Sequence, residues 1–596
     1  MWNICFFGSL AVILLSVVMF AVIRKSDLEI KWAVSLFNTT FVGVIIAVAL
    51  LFLPVYGSQN GSSLSGITQT VFLTVLSVMQ VFTTGCDFGV VEEAASQCPG
   101  WIGEVYPAWG ALLFVLAPVF TFGFVLSFFK NLSAYAKFLR AWFDPVYIFT
   151  ELNEKSLALA DDIRQKLEKV TIVFTDVFDD GGERLYELMD NAEKIGAICF
   201  KKDIASLALE LHSASSQMHL FVIGTDETEN LNQSLKLIER LRNRMDTHLY
   251  VFSTKVESEI LLTAVDKGKI KVRRINEVQS LVNRVLYERG EIIFDSARQR
   301  PDGSKHICAV IVGMGHHGNE MVKALSWFGQ MDGYTLEIHA FDADPLAEEK
   351  FVAKAPELMA PEYNGVTIDG EAQYKICIHS GIDVATASFV RELQKLKDTT
   401  YVMVALGDDD ININTAVDMR MRFERMKIHP VIQTIVYNSQ QKKALQGIRN
   451  YRGQEYDIEF LGDLESSYSE AVILDSELEE DALQRHLKWG KEEEFWNYEY
   501  NYRSSMASAI HMRARIHCGI PGARKAESEL TPEEERIIGV LEHRRWNAYM
   551  RSEGYVYSGS PEKASRNDLA KMHHDLVDYS MLSEEEKRKD SKVGTK

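Results

Sequence analysis

The chain has 596 residues and a formal net charge of −19, long enough for three or four domains at roughly 150 residues each. The acidic balance, with no basic surface of the needed size anywhere, excludes a nucleic-acid partner. Seven cysteines without CxxC or other metal spacing exclude a paired-cysteine zinc site, and no metal is expected. The near-neutral mean hydropathy hides a division: residues 1–130 are strongly apolar, and the remainder is charged like a soluble protein.

Phe6–Ile23 is an apolar run of spanning length. Arg24 and Lys25 follow this run instead of preceding it, and no small-residue cleavage site is evident, so it reads as a retained anchor with its N-terminus outside. Trp32–Leu53 is a second spanning run, and Trp109–Phe129 is a third, with Tyr106 and Trp109 as interface aromatics. Between them, Ile67–Phe82 is apolar but short. Arg24, Lys25 and Lys31 flank the first loop, and Lys130, Lys137 and Arg140 follow the last helix. The positive-inside rule puts both clusters in the cytosol, and one more crossing between them would break that arrangement. The segment 67–89 is therefore expected to enter the membrane and return on the same side, or to lie in the interface. The acidic residues Asp87, Glu92, Glu93 and Glu104 fit an external position. A re-entrant backbone is tolerated only where protein or water surrounds it. Thr83-Thr84-Gly85-Cys86-Asp87-Phe88-Gly89 resembles, at altered spacing, the filter of potassium channels. Thr83, Thr84 and Asp87 are the candidate pore residues of a transmembrane bundle spanning 1–140. Cys86 and Cys98 fall in the external segment, where a disulfide is compatible with the sequence. Cys199, Cys308 and Cys377 read as packed thiols of buried strands.

From about residue 144, short apolar strands alternate with helices, which implies parallel α/β sheets. A first Rossmann-like domain is expected at 144–295. Its strands lie at Val146–Thr150, Val170–Thr175, Ala197–Lys201, Leu220–Ile223, Leu249–Ser253 and near Lys269–Val272, with helices such as Glu154–Lys166 and Asn230–Arg244. A second domain is expected at 304–470, with strands at His306–Val312, Thr335–Phe341, Tyr374–His379, Thr400–Ala405 and Val431–Tyr437. The first strand of this second unit runs into Gly313-Met314-Gly315-His316-His317-Gly318 and then a helix. In this fingerprint the first glycine permits a tight turn, the second lets a pyrophosphate approach, and the third lets helix and strand pack closely. His316 and His317 either hydrogen-bond phosphate or block it. The next strand ends at Asp342, placed to accept ribose hydroxyls, with Asp344 nearby. The first unit has Glu151-Leu152-Asn153-Glu154-Lys155-Ser156 where the loop would be, and its two acids would repel phosphate.

These residues, together with Ala405-Leu406-Gly407-Asp408-Asp409-Asp410-Ile411-Asn412 and Val431–Asn438, resemble the RCK/TrkA-type regulatory domains of potassium channels and transporters. Here Asp410 stands for the usual Glu. The resemblance covers roughly 145–445 and is good in the second unit, weak in the first. It implies binding of NAD or another adenine-nucleotide-derived ligand, with Asp408 and Asn412 joining the site, and gating of a membrane pore. A second resemblance, over about 530–590, is to the repeat domain of ryanodine receptors. It rests on Glu542–Tyr549, Glu553–Tyr557, His573–Tyr579 and Leu582–Glu586, with His574 where the family often has Pro. This mostly helical domain is expected at 500–596. His543, Arg545, Trp546, Tyr555 and Tyr557 are its candidate ligand residues, suited to stacking a base and neutralising phosphate.

The expected fold class is multidomain: an α-helical transmembrane bundle, two α/β Rossmann-like domains with parallel sheets, and a small mostly α-helical C-terminal domain. No catalytic constellation emerges, so no enzymatic activity is expected. The leading expectation is a nucleotide-gated channel or membrane effector in the plasma (inner) membrane. Such architectures in bacteria resemble anti-phage effectors that respond to nucleotide second messengers. Three helices per chain cannot enclose a pore, so a homo-oligomer is required, a tetramer or dimer of dimers. The alternatives are an NAD-sensing regulatory subunit of a potassium or cation transporter, and a membrane-anchored NAD-dependent oxidoreductase.

Overall fold

The computed structural model describes residues 2–25, 31–96, 98, 100–167, 169–177, 182–364, 367–368, 371–372, 374–474 and 476–595. The side chains of 17–40 and 122–133, which include those of Arg24, Lys25, Lys31 and Lys130, lie outside the described residues. The chain divides into two compact units. One is Met1–Ala141 with Val177–Glu187 and Ile198–Lys201, and the other is Trp142–Asp176, Leu188–Ala197 and Lys202–Lys596.

The first unit is built from helices α1 (Trp2–Lys25), α2 (Lys31–Asn60), α3 (Leu64–Phe82), α4 (Gly89–Ser96) and α5 (Trp101–Arg140). Among the described residues, Phe41–Asn60, Leu64–Phe82 and Trp101–Thr121 are long and apolar enough to cross a membrane, while Trp2–Ser16 is apolar but shorter. The sequence read the third helix as a short run. It is a continuous helix of 19 residues, because Ser63 caps its start by accepting the Gly66 N–H. Val44, Val48, Leu51, Phe52, Val91 and Tyr106 form part of the buried centre. Polar groups inside it are matched: Trp109 Nε1 donates to Ser9 Oγ at 2.9 Å, Ser9 Oγ donates to the Ala47 carbonyl at 3.2 Å, and the Tyr106 hydroxyl donates to the Leu51 carbonyl. Such matching is required where no water can substitute.

The second unit contains two parallel sheets. In the first, β1 (Val146–Phe149), β2 (Thr171–Phe174), β4 (Met218–Val222), β5 (Thr247–Phe252) and β6 (Lys271–Ile275) run in the order β2-β1-β4-β5-β6. The two-residue strand β3 (Ile198–Cys199) is grouped with the helical unit. In the second, β7 (Lys305–Val312), β8 (Tyr334–Asp342), β9 (Lys375–Ser380), β10 (Tyr401–Val404), β11 (Val431–Ile435) and β12 (Ile458–Leu461) run in the order β9-β8-β7-β10-β11-β12. Both reverse direction beside their first strand, which is where doubly wound sheets bind ligands. The strands read as unbroken apolar runs because both faces are covered. Strand β12 was not anticipated; its Ile-Glu-Phe-Leu is too short and too mixed to stand out.

Helices at the C-terminus complete this unit: Glu499–Cys518, Pro532–Ser552 and Glu584–Val593. Their apolar residues, among them Ile510, Leu541, Ala548 and Tyr549, belong to the same core as Ile307, Ile338 and Phe328 of the second sheet and its first helix. At this junction Glu542 lies between Arg515 and Arg545, all three side chains at most 3% exposed. His511 Nε2 reaches the Gln330 carbonyl at 2.6 Å.

Candidate functional site

The glycine loop leads from β7 into α9 (His316–Phe328), with α6 (Glu154–Lys166), α7 (Glu227–Leu241) and α8 (Glu277–Arg289) earlier in the chain. Each glycine has a separate geometric reason. Gly313 has φ +94°, and a Cβ there would lie 2.4 Å from the Ala405 carbonyl oxygen. A Cβ on Gly318 would lie 1.8 Å from the Gly313 oxygen, so helix and loop pack too closely for alanine. A Cβ on Gly315 would meet nothing within 4 Å. The space above Gly315 is open, and the first-turn N–H groups of α9 face it without intrahelical partners.

Asp342 ends β8, as expected, but its carboxylate already braces the loop. Oδ2 accepts the Met314 N–H at 2.6 Å and Oδ1 accepts the Asp344 N–H at 2.7 Å. His316 is exposed. His317 is half-buried, with Nδ1 3.3 Å from the Tyr437 hydroxyl. Burial, then the neighbouring His316, pushes His317 down to about 4, so its ring is neutral at pH 7. His317 lines a cleft of about 740 Å³ between the two sheets, together with Lys155, Glu277, Asp409, Tyr437 and Tyr468. Lys155 pairs with Glu277 at 3.0 Å and lies 5.3 Å over the Tyr468 ring.

In helix α10 (Asp409–Arg425), the residues singled out by the resemblance serve the frame. Asp408 caps the helix by accepting the Ile411 N–H at 2.9 Å. Asn412 is fully buried; its Oδ1 accepts the Leu406 N–H at 2.7 Å and its Nδ2 donates to the Ile435 carbonyl at 2.9 Å. The first sheet repeats this strut, which sequence reading missed. Asn230 Oδ1 accepts the Gly224 N–H at 2.8 Å, Nδ2 donates to the Phe252 carbonyl at 3.0 Å, and Asp226 caps the helix. The available signal was an asparagine four residues after a capping aspartate in both halves. Where the second sheet has glycines, the first has side chains: Glu151 accepts the Thr225 N–H at 3.1 Å, and Asn153 donates to the Ile223 carbonyl at 2.9 Å. No phosphate cradle remains there.

A second cavity, of about 100 Å³, lies among the C-terminal helices, lined by Arg485, Tyr500, Arg545, Trp546, Arg566 and Lys589 among others. His543 also lines it, but its ring is already committed, to Asp590 at 3.0 Å and to the Val577 carbonyl at 2.8 Å. Arg545 pairs with Glu542 at 2.8 Å, while its Nη1 is buried without a hydrogen-bond partner. Trp546 packs its ring 4.9 Å from His573. Tyr555 instead faces Tyr500 at 5.9 Å, and Tyr557 donates its N–H to Glu357. Arg485 is not singled out by the sequence, and the mixed charges of 566–590, Arg566 and Lys589 among them, read there as a solvated face; the fold brings all three to the cavity.

In the helical unit, the segment from 64 to 98 leaves and returns at one end. Thr70 near the start of α3 donates to the Tyr56 carbonyl at 3.2 Å, beside the C-terminal end of α2. Phe82 at the other end reaches Phe41, ring centroids 5.5 Å apart. The chain then turns. Phe88 meets Phe114 at 5.2 Å, Val91 abuts Gly110, and the carbonyls of Ala95 and Cys98 abut Gly103. Helix α4 thus runs back along α5 towards the end where α5 begins and α2 stops. The turn contains Thr84 at φ +61°, a conformation uncommon for threonine. Thr83, Thr84 and Asp87 are exposed on it; Thr83 Oγ1 bonds the Met79 carbonyl at 3.0 Å, and Asp87 accepts the Gly89 N–H at 2.9 Å. Cys86 and Cys98 are not joined; both are free thiols.

No family model matches the chain, and no curated protein matches it.

Proposed function

We propose that this chain is the subunit of a homo-oligomeric membrane pore gated by a nucleotide-type ligand. The observation that carries the reading is the segment 64–98, which enters the apolar helical unit and returns at the same end. A segment that returns satisfies the charge pattern of the flanking loops without an extra crossing. It also brings a non-helical turn with Thr83, Thr84 and Asp87 into the apolar layer, which bilayers tolerate only where protein or water surrounds it. One chain leaves that turn exposed, so the reading requires further copies around it, as a tetramer or dimer of dimers. The outward face of α3 supports this, since Ile67, Val71, Phe72, Val75 and Met79 are each more than half exposed.

The sensor is the cytosolic body, in a plasma membrane orientation with the N-terminus outside. The open cradle over Gly315, followed by the cleft at His317, suits the phosphates of NAD or another adenine nucleotide. Helix α5 runs unbroken for 40 residues, about 60 Å at 1.5 Å per residue, well beyond the roughly 30 Å hydrocarbon layer. Only residues 141–145 separate it from β1. Ligand affinity that differs between two arrangements of the body biases the bundle through this helix.

The test is ion flux from liposomes containing only the purified chain, with NAD, ATP and cyclic dinucleotides added in turn. Ligand-dependent flux without any other protein is the expected result. A ligand that binds the reconstituted chain but never produces flux overturns the proposal and leaves a regulator of a separate transporter.

A further inference from the structure

We propose that one face of the second sheet binds a divalent transition-metal ion of the zinc class through Glu337, His339 and Cys377. The site follows from strand geometry. Side chains two apart on a strand share a face, so Glu337 and His339 of β8 point the same way. In the parallel register between β8 and β9, Cys377 is paired with His339. The intervening Ile338 and Ile376 turn into the core on the opposite face. One oxygen, one nitrogen and one sulfur donor from these three residues lie within 4.8 Å of one another. A tetrahedral ion with bonds of about 2.0–2.3 Å holds neighbouring ligand atoms about 3.3–3.8 Å apart, so small side-chain movements close the site.

A neighbouring imidazole orients the central ligand. His339 Nδ1 lies 3.0 Å from His379 Nε2, which leaves His339 Nε2 facing Glu337 Oε1 at 3.1 Å. Metal-binding histidines ordinarily donate their second ring N–H to an acceptor, usually a carboxylate, carbonyl or water, and here the His379 Nε2 lone pair takes that place. The mixed donor set selects zinc, cobalt or nickel over magnesium and calcium, which take all-oxygen shells. Ions can enter from solvent: the Glu337 side chain is 23% exposed. Lys375 Nζ holds Glu337 Oε1 at 2.6 Å and is itself 54% exposed, so it can swing away as the ion arrives. On binding, Cys377 releases its thiol proton to solvent and the thiolate ligates. Three protein ligands leave a fourth position for water.

The experiment uses the full chain in detergent, stripped with a chelator and titrated with Co²⁺ as the probe. The expected result is one Co²⁺ per chain with an intense near-ultraviolet thiolate-to-metal band, displaced by Zn²⁺. Cys377→Ser removes the band and His339→Ala weakens binding at least ~100-fold, whereas His379→Ala weakens it roughly 10–100-fold. Cys308→Ser, beside Glu337 on β7 in the register, retains the band. Circular dichroism of each metal-free variant establishes that it is folded. The proposal is overturned if the wild type shows no thiolate band, if the band survives Cys377→Ser, or if folded His339→Ala binds Co²⁺ as the wild type does.

Discussion

Gly315→Asp isolates the contribution of the glycine loop. A Cβ at this position meets nothing within 4 Å, and the residue sits at φ −70°, so the substitution leaves the fold untouched. It places a carboxylate where a phosphate must approach the first turn of α9. Two unit charges about 4 Å apart at an effective dielectric near 20 repel by about 4 kcal/mol, equivalent to roughly a thousandfold loss of affinity. Gly315→Ala adds bulk without charge and should cost far less. Gly318→Ala, with its Cβ 1.8 Å from the Gly313 oxygen, should instead lower the melting temperature. The assay is calorimetric titration of the full chain with NAD and with ATP, alongside thermal unfolding of each variant. If Gly315→Asp melts like the wild type and binds with unchanged affinity, the loop is not the site. The cavity beside Trp546 and Arg545 then becomes the one to substitute.

Glu542→Gln should destabilise the second unit by about 3–5 kcal/mol, because it leaves the buried guanidiniums of Arg515 and Arg545 without their counter-charge; a fall in the tryptophan-fluorescence melting temperature reads it. The same carboxylate predicts an acid transition. Burial alone would raise Glu542, but Arg545 and Arg515 hold it down to about 2, below its ordinary 4.5. A value lowered by folding stabilises fully above the unfolded value and is lost as pH falls through the folded one, a contribution of about 3 kcal/mol. Melting temperature should therefore drop between about pH 5 and pH 2, and more shallowly in Glu542→Gln. Asn412→Ala and Asn230→Ala should each cost about 1–3 kcal/mol, since each leaves a buried N–H and carbonyl unpaired. Equal losses by chemical denaturation would establish the two asparagines as equivalent struts, and a neutral result at either would refute that role.

Where the sequence was readable, one residue type had one physical reason to be there. The glycine loop was legible because φ at 313 and packing at 318 exclude other residues, while the open space at 315 is what a close-approaching phosphate needs. The long buried strands were legible from their unbroken apolar runs, whereas Ile458–Leu461 was not. The charges on either side of the segment bear on its topology, whereas the turn after Phe82 is a local feature of the helical unit. The length of α3 was not legible, since its Ser, Thr and Gly residues dilute the apolar signal, while threonine hydroxyls bond within the helix, as Thr74 does to the Thr70 carbonyl. Asp342 and Arg545 were chosen for their chemistry, and both are there, but the fold uses part of each: Asp342 on the loop backbone, Arg545 on Glu542. Cys377 read as a packing thiol because only register across two strands, 38 residues apart in the chain, sets it beside His339.

The paired asparagine struts have a consequence for stoichiometry. Two sheets with the same internal bracing stand in one polypeptide, and only one kept its glycines. A self-paired protein made of single-sheet chains would offer a ligand two identical walls, hence either two equivalent seats or one seat on a symmetry axis. Here the walls of the cleft differ, with Lys155 and Glu277 on one side and His317 and Asp409 on the other. On the proposed reading, a ligand entering that cleft would take a single orientation, one molecule to each chain.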